Sequence, residues 1–494
     1  MSDIKQHLLG LLNRISTVLR EHDCPAYVVG GFVRDWLLGR ETADLDIAVG
    51  GDALSVAKEV ARVVAGKYVL LDEANGVARV VVTENKQPWY LDFASFTGSI
   101  EDDLARRDFT IDAMAVELSD LVSGSLCLID PFSGANDLKR KLLRAVSLTI
   151  FEQDAARLLR GVRLATELGF SIESETEMLI RGNCGLVRLV SKERLREELV
   201  RMLALPGSAR LVRYLEALGL LTQLIPEVEA MKGVEQPKEH HWDVFEHSVE
   251  TMAAVEFLLR EAPWEYGREG LLAITPWSED FRRYFDQVVS SGSTRRLLLK
   301  LGGLLHDIAK PVTKTIDDTG RIRFLGHTKQ GAAMATAILE RLRFSSREVR
   351  LVESLVYHHL RPVQMTSDDL PTSRAIYRYF RDTEGAGIDI LFLALADYLA
   401  TWGPRLDFEE WREHNRLISY ILEEHLRQEV KTAPVKLVDG HDLMDIFGLK
   451  PGRLLGELLA EVHEAQATGE VSTREEAIEI VRNKLEKRQC GTAC

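Results

Sequence analysis

The chain has 494 residues, 46% of them apolar and 28% charged, with a formal net charge of −14. That length exceeds what one hydrophobic core serves and the apolar fraction can fill several, so a globular, multidomain protein is predicted. The acidic balance excludes a general nucleic-acid coat, and any basic surface for phosphates has to be local.

No window approaches about 18 uninterrupted apolar residues, and the first 23 residues alternate apolar and charged groups at helical spacing. A soluble, cytoplasmic protein with no membrane partner is expected. The five cysteines, Cys24, Cys127, Cys184, Cys490 and Cys494, are scattered and form no CxxC, which predicts neither a disulfide framework nor a zinc knuckle.

Up to about Ala145 an amphipathic helix is mixed with short β-branched or aromatic runs. AYVVG, LDIAV, ARVVVTE and WYLDFASF read as strands of one sheet. From about Phe151 leucine-rich helical periods dominate to the end. Linker signals lie at GVEQPK (233–238), in the Pro- and Trp-bearing stretch 262–280, and at KTAPVKLVDGHD (431–442). The fold class expected is α+β, a sheet-bearing head (1–145) followed by all-helical segments at 146–235, 236–405 and 406–494.

The stretch YVVGGFVRDWLLGRETADLDIAVGG (27–51) carries the first chemical signal. Gly30 and Gly31 turn the end of a strand into the start of a helix, an arrangement that lets backbone approach an anion closely. On the next strand Asp44 and Asp46 sit at i and i+2, on one face and about 7 Å apart. Two carboxylates there repel unless a cation joins them, and two carboxylates plus substrate phosphates is the set magnesium prefers in nucleotidyl transfer. Asp92, in WYLDFASF, is either a third carboxylate on a neighbouring strand or a solvated strand residue. Asp154, Arg157, Arg160 and Arg163 recur every three residues, drifting slowly round one helical face.

GGFVRDWLLGR with DLD resembles the head of the class II tRNA nucleotidyltransferases and bacterial poly(A) polymerases, of the polymerase-β-like superfamily. RRDFTIDAMA (106–115), DPFSGANDLKRKLLRAV (130–146), DAARLLRGVRLATELGF (154–170) and SKERLREEL (191–199) extend the likeness over about the first 200 residues. The resemblance implies that Asp44 and Asp46 are catalytic ligands of Mg2+, and that Gly30, Gly31, Arg34 and Arg107 belong to the nucleotide site. It further implies that Asp154 and Arg157 read the Watson–Crick edge of CTP or ATP, supported by Arg160 and Arg163. Carboxylate acceptors and guanidinium donors suit that task. The family pattern opens this motif with Glu-Asp, whereas here it is Gln153-Asp154.

Residues 139–201 carry 13 Lys/Arg against 9 Asp/Glu, which marks the neck (146–235) as the surface for the tRNA acceptor stem. Between WYLDFASF and RRDF stands only TGSIEDDLA, where family members that add the whole CCA triplet carry a flexible basic loop. Its shortness favours CC addition, with a separate A-adding enzyme acting on the same tRNA. Full CCA addition, A addition, poly(A) synthesis and a metal-dependent phosphohydrolase with an RNA-binding head stay open.

Further along, HHWDVFEHSVETM, GGLLHDIAKP, FLGHTKQGA, VYHHLRP and ALADYLA resemble the HD phosphohydrolase superfamily. The matching residues are His247, His306, Asp307, His327, His358 and Asp397, which implies a divalent metal of unspecified identity, with Lys310 near a phosphate. Of the adjacent His358 and His359, His358 is the expected ligand. The 406–494 tail resembles that of HD-bearing nucleotidyltransferases, where it suits anchoring the tRNA.

Overall fold

The structure, a computed structural model, describes residues 2–491 except 23, 85–86, 125–126, 291, 366–369 and 432–435. Cys494 and part of the last linker lie outside the described residues. The chain forms two compact units, Met1–Glu198 with Tyr214–Leu224, and Leu199–Arg213 with Ile225–Cys494.

The first unit begins with helix α1 (Ser2–Glu21) and builds a seven-stranded sheet from β1 (Ala26–Val29), β2 (Asp44–Val49), β3 (Lys67–Asp72), β4 (Val77–Glu84), β5 (Gln87–Ser95), β6 (Ala115–Glu117) and β7 (Leu128–Ile129). The order is β3-β4-β5-β2-β1-β6-β7. Only β2 and β5 run parallel. All four strands read from the sequence are present. In β2 the period of two buries Leu45, Ile47 and Val49 and turns Asp44 and Asp46 to the opposite face. Between β2 and β3, helix α3 (Ala53–Val63) packs on β4 and β5 through its buried Val56, Ala57 and Val60. Val29, Ala48, Phe96, Ile100, Leu104, Ala113 and Ala115 form one apolar cluster. Ala48 shares the alternating face of Asp46, so this cluster gives that face a firm floor.

The second unit is helical apart from two short antiparallel ribbons, Val288–Ser290 with Ser293–Thr294 and Lys314–Ile316 with Ile322–Phe324, which the all-helical expectation omitted. Helices Val244–Leu258, Arg295–Leu305, Ser346–His358 and Gly387–Trp402 pack on one another, and His327–Arg341 packs on Ser346–His358. Gly302 permits the close approach, since a Cβ there would lie 2.7 Å from Leu355 Cδ1. Val438, Leu443, Leu455, Leu458, Val462 and Val481 form a further core in the tail. Cys24, Cys127 and Cys184 are free thiols, and no single helix among the described residues is long and apolar enough to cross a membrane.

Candidate active site and metal centre

In the head the sheet register sets the site. β5 lies beside β2 with Asp92 opposite Asp46, and β4 lies beside β5 with Arg79 opposite Asp92. Arg79 grips Asp92 through two hydrogen bonds, Nε to Oδ1 and Nη2 to Oδ2, both 2.7 Å. Asp92, partly exposed, is therefore ion-paired with Arg79 beside Asp46. Burial pushes the Asp46 carboxyl up to about 6; Arg107 opposes the shift, and Asp92 and Asp112 add to it. The candidate ligands Asp44 and Asp46 offer only oxygen donors, which suits a hard divalent cation.

Gly30 takes φ +68° between β1 and helix α2 (Gly31–Leu37). A Cβ at Gly30 would stand 2.8 Å from Arg107 Nη1 and 3.2 Å from Asp46 Oδ2. Since its N–H donates to the Met114 carbonyl (3.3 Å), Gly30 contributes room for these charged groups to meet. Arg34 is buried: Nη1 donates to Asp112 Oδ1 (2.7 Å), and Nε and Nη2 donate to Asp35 at 3.0 and 2.9 Å. The structure thus gives Arg34 three protein contacts beneath the turn.

The segment before RRDF is an ordered connection. Helix α4 (Ile100–Leu104) starts with a capping box of Ser99 and Asp102, buries Ile100 and Leu104, and places Asp103 to accept from Arg107 Nε and Nη2 at 3.2 and 3.1 Å.

A cavity of about 330 Å³ opens next to it, lined among others by Arg106, Arg107, Asp154, Arg157, Arg160 and Arg194. Asp154 Oδ1 accepts from the Ala156 N–H (3.1 Å) and Oδ2 from Arg194 Nη2 (2.7 Å). Burial alone would raise the Asp154 carboxyl, but Arg194, the Ala156 N–H and Arg157 together outweigh it and hold it below its usual value. Arg157 donates through Nη2 to the Arg106 carbonyl (2.9 Å), and its buried Nη1 has no hydrogen-bond partner. Arg160 Nε pairs with Asp108 (2.7 Å), and its Nη2 lies 3.8 Å from Asp112 Oδ2.

The cavity therefore brings together Arg107, Asp154, Arg157 and Arg160. Arg163 turns away to Glu198 (2.7 Å) and Glu167 (2.8 Å). Asp108, Asp112 and Arg194 were not singled out from the sequence. An aspartate enclosed by apolar residues, as in TIDAMA, has to be paired in the fold, and that was the available signal for Asp112.

In the second unit His247, His306, Asp307, His327, His359 and Asp397 converge. His247 Nε2 lies 2.9 Å from Asp397 Oδ1, 3.3 Å from His306 Nε2 and 3.5 Å from Asp307 Oδ2. Asp307 Oδ1 lies 3.5 Å from His327 Nε2 and 3.9 Å from His359 Nε2. Three imidazoles are fixed alike: Nδ1 of His306, His327 and His359 meets the carbonyls of Gly303, Phe324 and Val356 at 2.8, 2.7 and 2.8 Å. Those bonds place a proton on each Nδ1, so that in the neutral ring Nε2 is the atom that offers a lone pair to a cation.

His358 is corrected to His359. His359 is buried in the cluster, whereas His358 lines a separate groove with Arg347, Arg350 and Tyr357. Burial works against a charged His306, but Asp307 and Asp397 carry it up to about 10; burial brings His359 down to about 4. Lys310 Nζ sits between Asp307 Oδ2 and Gln236 Oε1, 2.6 Å from each. Two groups of donors, His247–His306–Asp307 and Asp307–His327–His359, meet the spacing of metal sites and share Asp307.

Four family models match the chain in succession. They are the poly A polymerase head domain at 26–144, the RNA and SrmB binding site of polymerase A at 169–232, the HD domain at 244–402 and tRNA nucleotidyltransferase domain 2 at 408–481. The A-adding tRNA nucleotidyltransferase of Deinococcus radiodurans is 35% identical, covering 94% of this chain and 96% of its own. The chain belongs to the tRNA nucleotidyltransferases. The CC-adding tRNA nucleotidyltransferase of Thermus thermophilus is 34% identical over 92% of each chain. A solved CCA-adding enzyme with ATP shares the nucleotidyltransferase fold at 24% identity and TM-score 0.65, covering 97% of this chain and 96% of that one.

Proposed function

We propose that this nucleotidyltransferase adds C residues from CTP to the tRNA 3′ end, releasing pyrophosphate and leaving the terminal A to a separate A-adding enzyme. The observation that supports it is the ordered connection between β5 and Arg106, where α4 is capped and anchored through Ile100 and Leu104. Changing from CTP to ATP selection calls for a mobile element, and a segment tied down in this way is poorly suited to be one. A addition is the second reading, favoured by the 35% identical Deinococcus radiodurans relative. Extension of tRNA transcripts ending before CCA, after C and after CC, with CTP, ATP or both, tests the choice. Two additions with CTP and none with ATP are expected; ATP-dependent extension of the CC-ended transcript overturns CC addition.

In this reading Asp44 and Asp46 hold Mg2+, which when bound stabilises the phosphates and lowers the pKa of the attacking hydroxyl. Arg107, held by Asp103 beside Gly30, orients the triphosphate. Asp154 and Arg157 read the base edge, and Arg160 joins that edge to Asp108. The four-part division at about 145, 235 and 405, the acceptor stem on the basic neck, a tRNA-anchoring tail and a cytoplasmic location belong to the same proposal.

For the second unit we propose a metal-dependent phosphohydrolase acting on phosphate-bearing RNA 3′ ends. His247, His306, Asp307 and Asp397 hold one divalent ion, and Asp307, His327 and His359 hold a second. When bound, such an ion supplies an activated water. The shared Asp307 carries this reading. Asp44→Ala is expected to leave the hydrolysis intact and His306→Ala to abolish it; the reverse pattern overturns it.

A further inference from the structure

We propose that Arg194 is a positioning residue for base selection, holding the Asp154 carboxylate in its base-reading orientation. The inference rests on the reading of Asp154 and Arg157 as the base-facing pair. Gln153 is exposed, its amide reaches Thr149 Oγ1 at 3.4 Å, and it does not line the cavity. Its side chain therefore does nothing to fix Asp154. The side chain that does is Arg194, 40 residues further on, at 2.7 Å. With Oδ1 on the Ala156 N–H and Oδ2 on Arg194, both carboxylate oxygens are fixed, which sets the plane of the group.

Arg194 is itself well placed to do this. It lies in the first turn of helix Lys192–Leu203, its N–H donating to Ser191 Oγ (3.4 Å). One turn on, Glu198 accepts from Arg163 Nε at 2.7 Å. Arg163 belongs to helix Arg157–Leu168, which begins with the base-facing arginine. The Glu198–Arg163 pair thus fixes the distance from which Arg194 reaches Asp154, and it gives Arg163 a supporting role outside the cavity. Arg157 keeps a buried, unpartnered Nη1 beside this edge. The result is a fixed acceptor beside an arginine that still has an unused N–H, and an acceptor with a donor is the pattern needed to discriminate the edges of cytosine and adenine.

The test is kcat/KM for CTP and for misincorporated ATP on the transcript ending before CCA, for Arg194→Ala and Arg194→Lys, alone and with Asp154→Ala. Arg194→Ala is expected to reduce the preference between the two nucleotides by about tenfold, the range of one well-aligned base contact. Arg194→Lys, which keeps the charge, recovers part of it. With Asp154→Ala already present, Arg194→Ala adds less than about twofold, because the carboxylate it positions is gone. An equal fall for both nucleotides, or a full effect in the Asp154→Ala background, overturns the inference. If Asp154→Ala itself leaves the preference unchanged, the base-reading assignment has failed and the inference falls with it.

Discussion

Arg34→Met separates two roles for an arginine that the sequence resemblance assigns to the nucleotide site and the structure buries. The side chains of Arg34 and Asp112 are 10% and 3% exposed and meet at 2.7 Å. Asp112 Oδ2 has no hydrogen-bond partner, so removing Arg34 leaves a buried carboxylate with only Arg160, at 3.8 Å, close by. An exposed pair contributes about 0–1 kcal/mol, but breaking a buried one costs about 3–5 kcal/mol. Because Arg160 compensates in part, we expect the lower end, about 3 kcal/mol, or about a hundredfold in a local opening equilibrium.

The pH dependence has a definite sign. Burial already raises the Asp112 pKa, chiefly against Arg34, so the substitution raises it further. The penalty is present above the folded-state pKa and disappears as pH falls toward the unfolded value. Hydrogen exchange of strand segments 26–49 should therefore speed up strongly at pH 8 and less at pH 5, with Arg34→Met/Asp112→Asn recovering much of the protection. Unchanged exchange with a raised KM for CTP refutes this reasoning and returns Arg34 to the triphosphate.

His359→Ala should lower the bound-metal content of the second unit while His358→Ala leaves it unchanged, read by elemental analysis after dialysis; equal contents contradict the ligand set. Arg79→Met releases Asp92 beside Asp46 and should tighten Mn2+ binding by the head, measured by EPR in a His306→Ala/His359→Ala background; unaltered affinity means that Asp92 does not reach the ion. Ser99→Ala removes the α4 capping box, worth about 1 kcal/mol, and should speed exchange over residues 97–105 by about fivefold. Protection identical to the parent there would show that the apolar anchors alone order the connection.

The strands with a clear period of two were legible because one face of each is buried. β3 was not, since KYVLLD exposes both Leu70 and Leu71 at the edge of the sheet. β6 and β7, of three and two residues, are too short to show any period. The choice between His358 and His359 was in fact readable. Val349, Val352, Leu355 and Val356 are buried along helix Ser346–His358, and 359 lies four residues beyond Leu355 and three beyond Val356. What spacing cannot show is which charges pair across long separations, such as Arg34 with Asp112 or Asp154 with Arg194.

Those distant pairs have a consequence for reading the head by mutagenesis. Arg34 beneath the Gly30 turn joins Asp112; Asp112 and Asp108 share Arg160, on the helix that also carries Arg157. A single series of charges therefore runs from the Gly30 turn to the helix that starts at Arg157. Groups in such a network are not independent, because removing one member leaves its neighbour buried and underpaired. A loss of kcat/KM from any one of them consequently mixes lost contact with displaced geometry. Removing charges in opposite pairs, as in Arg34→Met/Asp112→Asn, separates the two. Activity that returns with the second substitution assigns the first residue to the frame, and activity that stays lost assigns it to the nucleotide.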